Sequence, residues 1–101
     1  GFVPDEELAR LYRGARCVAY VSSYEGFGLP VLEAMACGTP VVTASIGATL
    51  EVSDGAAVHV DPHDDDAIAE GLVEAIDRAD ELRARGLARA KEFEHRQWTP
   101  P

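Results

Sequence analysis

Two glutamates, Glu25 and Glu33, enclose seven residues that include two glycines, and this spacing carries most of the chemical information in the chain. Gly26 and Gly28 lack a Cβ, so their backbone can adopt positive φ and approach a ligand closely. Pro30 fits the first turn of a helix, where unpartnered N–H groups and the helix dipole attract phosphate oxygens. Each carboxylate can accept bonds from vicinal sugar hydroxyls, worth about 1.5–3 kcal/mol each. Amides for a diphosphate and a carboxylate for each of two sugars favour a nucleotide-sugar ligand.

The same residues also have structural explanations. Glu33 could be an ordinary acid near a helix start that favours the dipole by about 0.3–1 kcal/mol. Glu25 could be a solvated loop residue, and Gly26 and Gly28 could be plain turn glycines. Glu33 would, however, be the only charged side chain on a buried helix, where a charge needs a partner. From these residues alone, both explanations stay open.

Alternating strand and helix patterns position this segment. The predicted strands are 17–21, 41–43 and 57–60, and the predicted helices are 5–14, about 30–37, one from near 64, and about 79–95. This alternation predicts an α/β fold, a three-layer Rossmann-like partial domain with a short parallel sheet of three or four strands and helices on both faces. Ligands bind at the carboxyl ends of such strands. The loop from Glu25 to Leu29 follows a strand and opens a helix, so it lies where that rule places a site.

Apolar residues at helical spacing predict which helix faces are buried. They are Leu8, Leu11 and Tyr12 in the first helix, Ile68, Leu72, Val73 and Ile76 in the third, and Leu82, Leu87, Ala90 and Phe93 in the last. The segment 45–55 is expected to be a loop with at most one helical turn. Residues 96–101 are expected to be a disordered tail.

Charge and cysteine usage exclude several partners. Eighteen acidic and nine basic residues give a net charge of −9, which disfavours nucleic acid and anionic lipid. We see no transmembrane segment and no signal peptide, and the first residues suggest that the chain starts within something larger. Cys17 and Cys37 have no Cys or His at ligand spacing, which predicts two buried thiols in a reducing compartment and therefore a cytoplasmic protein.

Acidic and histidine residues elsewhere do not favour a metal site. Asp64, Asp65 and Asp66 contain an Asp-x-Asp pattern, but they open an amphipathic helix, where acids cap and favour the dipole. His59, His63 and His95 are scattered along the chain. Ser45 and Thr49 are candidates for the nucleotide side of a cleft.

The run from Tyr24 to Val42 reads YEGFGLPVLEAMACGTPVV, and it closely resembles the signature of family 4 glycosyltransferases with the GT-B fold. These enzymes transfer sugars from nucleotide-sugars with retention, usually without a metal or another cofactor. The resemblance covers most of the chain and implies that residues 1–101 are the distal part of the C-terminal, donor-binding domain. The spacing of the two glutamates around the Gly-Phe-Gly-Leu-Pro core is its most specific element.

The resemblance implies a role for each residue of the segment. Glu25 would hold the donor-sugar hydroxyls and face the reacting centre, which makes it the catalytic candidate, and Glu33 would bind the ribose hydroxyls. The other donor contacts would be backbone amides, those of Gly26, Phe27 and Gly28 for the sugar and those of Leu29 and Val31 for the diphosphate. Amides directed at the departing phosphate would stabilise its charge. No covalent nucleophile is implied.

The chain also departs from the family pattern. Thr49-Leu50-Glu51 stands where relatives often carry a Pro-Glu pair, which puts the packing of that loop in doubt. An Arg and Lys pair against the diphosphate, and the N-terminal acceptor domain, belong to parts outside this sequence. We therefore expect no transferase activity from this polypeptide alone.

Two other functions are compatible with the sequence. The chain could be a non-catalytic α/β interaction module that associates, or oligomerises, through an uncovered sheet or helix surface. A GT-B epimerase would share the architecture but not the signature.

Overall fold

The computed structural model describes residues 6–21, 28–44, 53 and 55–95. Its elements are α1 (Glu6–Gly14), β1 (Val18–Tyr20), α2 (Gly28–Ala36), β2 (Val41–Ala44), β3 (Val58–Val60), α3 (Asp65–Asp77) and α4 (Ala79–His95). Every predicted strand and helix is present, with bounds that differ by a few residues at most. The tail 96–101 and most of the loop 45–55 lie outside the described residues.

The three strands form one parallel sheet in the order β1-β2-β3. Val18 pairs with Val41, and Val42 pairs with Val58. The parallel strands β1 and β2 are connected through the helix α2, as the alternation of patterns predicted. The predicted short parallel sheet is confirmed.

Helices cover both faces of this sheet. In β2, Val41 belongs to a buried cluster with residues of α1, α2 and α4, whereas Val42 belongs to a second cluster with residues of β3, α3 and α4. Since successive side chains of a strand point to opposite faces, the two clusters lie on the two sides of the sheet. The three-layer prediction is therefore confirmed for the described residues. In β1, however, Ala19 is exposed, so this edge strand is less covered than its apolar sequence predicted.

Local signals set the helix ends. The Asp64 carboxylate accepts the backbone N–H of Ala67 at 3.0 Å, which confirms the capping role predicted for this acidic run. At the end of α2, Gly38 has φ of 76°. The N–H of Gly38 donates to the carbonyl of Met35, and that of Thr39 to the carbonyl of Ala34. These bonds form a Schellman motif, which turns the chain from α2 towards β2.

Two glycines allow helices to approach their neighbours closely. A Cβ built on Gly71 of α3 would lie 2.6 Å from Cγ1 of Val60, so this helix packs directly on the sheet. A Cβ on Gly86 of α4 would lie 3.3 Å from Cγ of Met35 in α2. The layers depend on the missing side chains at these two positions.

Gly71→Ala should therefore destabilise the protein, although alanine is the better helix former by about 1 kcal/mol. The new methyl group overfills the interface between α3 and the sheet, at a cost of about 1–3 kcal/mol. Urea unfolding measures the difference. The double variant Gly71→Ala/Val60→Ala supplies the room, so it should lose less than the sum of the two single losses. A fully additive pair would show that the contact is not the cause.

The predicted apolar faces are wrong at three positions. Leu11 is 67% exposed, Val73 60% and Leu87 41%. Other predicted positions are confirmed, since Tyr12 of α1 and Leu82, Ala90 and Phe93 of α4 are buried. In α3 the buried residues are instead Gly71 and Ala75. The side chain of Leu8 lies outside the described residues.

Candidate functional site

The candidate site is built on α2, which begins at Gly28 beyond the carboxyl end of β1. The helix was expected to begin near Pro30, and it begins two residues earlier. Pro30 is compatible with this start because N–H groups of the first turn have no intrahelical partner. Gly28 consequently has helical backbone, not positive φ. The N–H groups of Gly28 and Leu29 belong to the first turn, at the positive end of the helix dipole.

Burial fixes α2 in place. Val31 and Leu32 are fully buried, and Met35 is 1% exposed. These side chains belong to the cluster that also contains Phe93 of α4. The core therefore holds the helix in place from Val31 to Met35. The side chain of Val31 faces the core, which leaves only its backbone for the predicted ligand contact.

Glu33 is the only charged residue of α2, and it is half-buried. Its charge acts on Tyr20, the last residue of β1, and on Cys37 one turn further along the chain. The carboxylate is therefore near Tyr20 and Cys37, on a residue that is only partly exposed. This placement agrees with the expectation that a charge on a buried helix has polar surroundings.

Tyr20 belongs to a hydrogen-bonded network that the sequence analysis did not identify. Its hydroxyl lies 2.5 Å from the hydroxyl of Tyr12, while Thr43 Oγ1 donates to the Tyr20 carbonyl at 3.2 Å. Thr39 Oγ1 donates to the carbonyl of Tyr12 at 2.5 Å. A tyrosine within an apolar strand was the available signal, because a buried phenol usually has a hydrogen-bonding partner.

The ionisation of two groups reflects this environment. Burial, the hydrogen bond with Tyr12, the charge of Tyr12 and the charge of Glu33 all raise the pKa of Tyr20, in that order of size. The Tyr20 phenol is therefore harder to ionise than that of an ordinary tyrosine. Burial also raises the pKa of the Cys37 thiol, with Arg13 opposing and Glu33 adding to the shift.

Tyr12→Phe should lower the free energy of unfolding by about 0.5–1.5 kcal/mol, because it removes the bond between the two hydroxyls. Tyr20→Phe removes the same bond. The two losses should consequently fall short of additivity in the double variant when all are measured by urea unfolding. Fully additive losses would mean that the hydroxyls do not depend on each other.

Several predicted site residues cannot be compared with the structure. Glu25, Gly26 and Phe27 lie outside the described residues, as do Ser45 and Thr49. The structure thus describes Glu33 and the first turn of α2, which it brings to the same side of the sheet as Tyr20. The distance between the two glutamates stays a prediction.

Other polar groups form local contacts. Ser53 Oγ lies 2.6 Å from Nε2 of His59, and His63 donates its backbone N–H to Asp61. Cys17 and Cys37 are unbonded thiols, each half-buried where burial was predicted. Within residues 6–21, 28–44, 53 and 55–95, no three His, Cys, Asp or Glu side chains are grouped to hold a metal ion. No helix in these ranges is long and apolar enough to cross a membrane.

Comparison with protein families gives one match over nearly the whole chain. Residues 1–93 match the family described as "Glycosyl transferases group 1". The match includes β1, α2 and β2, and therefore the entire candidate site.

Individual relatives agree with this match. The chain is 48% identical to O-antigen chain mannosyltransferase B of Escherichia coli over 97 residues, which cover 92% of this chain and 25% of the relative. It is 45% identical to the MMP alpha-(1->4)-mannosyltransferase of Mycolicibacterium hassiacum, over 81% of this chain and 21% of the relative. It is 42% identical to the D-inositol 3-phosphate glycosyltransferase of Mycolicibacterium smegmatis, over 82% of this chain and 20% of the relative. The chain therefore spans about a quarter or less of these relatives.

Proposed function

Because this chain belongs to the group 1 glycosyltransferase family, we propose that it is the distal part of the donor-binding domain of a retaining glycosyltransferase. The reaction is transfer of a hexosyl group from a nucleotide-sugar, in an enzyme of family 4 with the GT-B fold. Two of the relatives above are named mannosyltransferases, so a mannosyl donor is the first to test.

One observation carries the donor-binding role. A buried helix begins beyond the carboxyl end of a parallel strand, and its only charge, Glu33, lies half-buried beside Tyr20. Crevices at the carboxyl ends of strands are where open α/β sheets bind ligands. A carboxylate there meets the vicinal hydroxyls of a ribose as an acceptor. The backbone amides of Gly28 and Leu29 lie in the first turn of the same helix, where they can donate hydrogen bonds to phosphate oxygens.

The proposed chemistry follows from these groups. Breaking the bond between the anomeric carbon and oxygen leaves negative charge on the departing phosphate. The first turn of α2 stabilises that charge because its N–H groups and dipole are fixed before the reaction. Glu33 binds the ribose and keeps the leaving group in register with the helix end. Glu25, which holds the donor sugar, completes the site together with the amides of Gly26 and Phe27.

The remaining elements of the proposal concern the whole protein. Transfer proceeds without a metal or another cofactor, and the acceptor binds to an N-terminal domain outside this sequence. This polypeptide alone is consequently inactive in transfer. The two unbonded thiols are compatible with a reducing, cytoplasmic location.

Calorimetric titration of the protein with UDP-, GDP- and ADP-sugars tests the proposal. We expect one base to bind in preference to the others and no turnover by the isolated chain. Circular dichroism confirms that the sample is folded. A folded protein that binds none of the three donors would contradict the donor-binding role, and turnover by the chain alone would contradict its incompleteness.

A second candidate is the interaction module, which the exposure of Leu11, Val73 and Leu87 favours. Large apolar side chains in water are available for association. Light scattering separates the two functions, because a tight oligomer without nucleotide affinity would support the module.

A further inference from the structure

A cavity of about 470 Å³ lies near the amino ends of the strands. Its walls come from the ends of α1 and α2, the chain just before β1 and β2, and the junction of α3 with α4. In a parallel sheet these connections all lie opposite the carboxyl ends of the strands. The cavity thus lies at the opposite ends of the strands from the first turn of α2. It is separate from the proposed donor site.

The charge of this cavity is opposite to that of the chain. Arg13, Arg16 and Arg83 line it, and Asp80 is the only acidic residue among the described residues that line it. The whole sequence has a net charge of −9 and only nine basic residues. Three of those nine therefore meet at one concave site.

These three guanidinium groups have no hydrogen bond or ion pair in the part of the chain that the structure describes. Three other arginines have acidic partners: Arg78 binds Glu74 at 2.6 Å and Glu81 at 2.9 Å. Arg85 lies 3.3 Å from Glu81, and Arg89 lies 3.1 Å from Glu92. The guanidinium N–H donors at the cavity are therefore available to a ligand.

One of the three arginines lies directly over a glycine. The side chain of Arg83 crosses Gly38, where a Cβ would lie 3.1 Å from its Nε. The positive φ of this glycine and the Schellman motif at the end of α2 create the room for that crossing. The Arg83 side chain thus lies across the end of α2 at the cavity.

The negative ends of α1, α2 and α3 and the positive end of α4 all lie at this cavity, and the three negative ends attract cations. This attraction explains how three arginines remain together without carboxylate partners. This attraction does not require hydrogen bonds from the arginines to the end of α2, because the carbonyls there already accept the N–H groups of Gly38 and Thr39.

We propose that the cavity bounded by Arg13, Arg16 and Arg83 binds a phosphate group, carried by a small phosphate ester or by a lipid head group. Each guanidinium offers five N–H donors in a planar fork that matches two phosphate oxygens. The volume falls within the range of small-molecule pockets, roughly 300–1,000 Å³, so it accommodates more than a bare phosphate ion. This site does not depend on the proposed donor-binding function.

Titration with glycerol 3-phosphate and with inorganic phosphate at constant ionic strength, followed by NMR, tests the site. Sedimentation with vesicles of equal parts phosphatidylcholine and phosphatidylglycerol tests the lipid source. Arg83→Gln should weaken binding by about tenfold or more, since charge-assisted hydrogen bonds are lost. The variant should fold, because Arg83 is exposed and has no bonded partner to lose.

Arg10→Gln is the matched control, because Arg10 is exposed on α1 and does not line the cavity. It should leave the affinity unchanged. The proposal is supported if the ester or the vesicles bind and only Arg83→Gln weakens that binding. The ligand that binds identifies the source of the phosphate group. No binding in either experiment, or an equal loss with Arg10→Gln, overturns it.

Discussion

Glu33→Gln is expected to weaken nucleotide-sugar binding by about 10- to 100-fold. The carboxylate is the only charge on α2, and its proposed bonds to the ribose hydroxyls are charge-assisted, worth about 1.5–3 kcal/mol each. Glutamine keeps the size of the side chain but has one acceptor oxygen and no charge. Calorimetric titration with the preferred donor measures the change.

Two controls isolate the ribose contact. Glu70→Gln makes the same change at an exposed position of α3 and should leave the affinity as it is. A 2′,3′-dideoxy nucleotide should bind the parent protein weakly. Glu33→Gln should lower its affinity little further, because the hydroxyls that Glu33 binds are already missing. Equal losses for the ribose and dideoxy ligands would contradict the assignment of Glu33 to the ribose.

Phe93→Ala is expected to lower the free energy of unfolding by about 3–5 kcal/mol. Phe93 is 1% exposed and lies in the cluster that holds α2. Its ring also receives the guanidinium of Arg89, 4.4 Å from the ring centroid. Domains of this size are stable by only about 5–15 kcal/mol. Urea unfolding should consequently show a large loss, accompanied by loss of any affinity that depends on α2.

Leu87→Ala provides the comparison on the same helix. Leu87 is 41% exposed, so its truncation removes less buried apolar surface and should cost under about 1 kcal/mol. If the two variants lost equal stability, the cluster around Phe93 would not be what holds α2.

Much of the fold could be predicted because its signals are local. Asp64 is an N-cap residue, and Gly38 is a C-cap glycine, so the sequence marks the start of α3 and the end of α2. The apolar run of β2 is fully buried, as expected of a central parallel strand. Such features need only a few neighbouring residues to form.

The inward faces of the helices could not be predicted as well, because tertiary packing selects them. Gly71 and Ala75 are buried in α3 while Val73 is exposed. Hydrophobicity alone predicts that Val73 faces the core. The close approach of α3 to Val60, however, requires a small residue at the contact. This requirement exists only once the sheet has formed.

The candidate site was predictable in part. The position of Glu33 on a buried helix follows from the apolar residues around it. Its proximity to Tyr20, and the bond between Tyr20 and Tyr12, arise between elements that are separate in sequence. The cavity lined by arginines has the same origin, because Arg13 and Arg83 belong to the first and last helices.

A crystal structure of the protein with a nucleoside diphosphate tests the central claim most directly. We predict that the diphosphate lies at the first turn of α2, near the amides of Gly28 and Leu29, and that both ribose hydroxyls contact the Glu33 carboxylate. A nucleotide bound elsewhere, with the Glu33 carboxylate making no contact to it, would contradict the account.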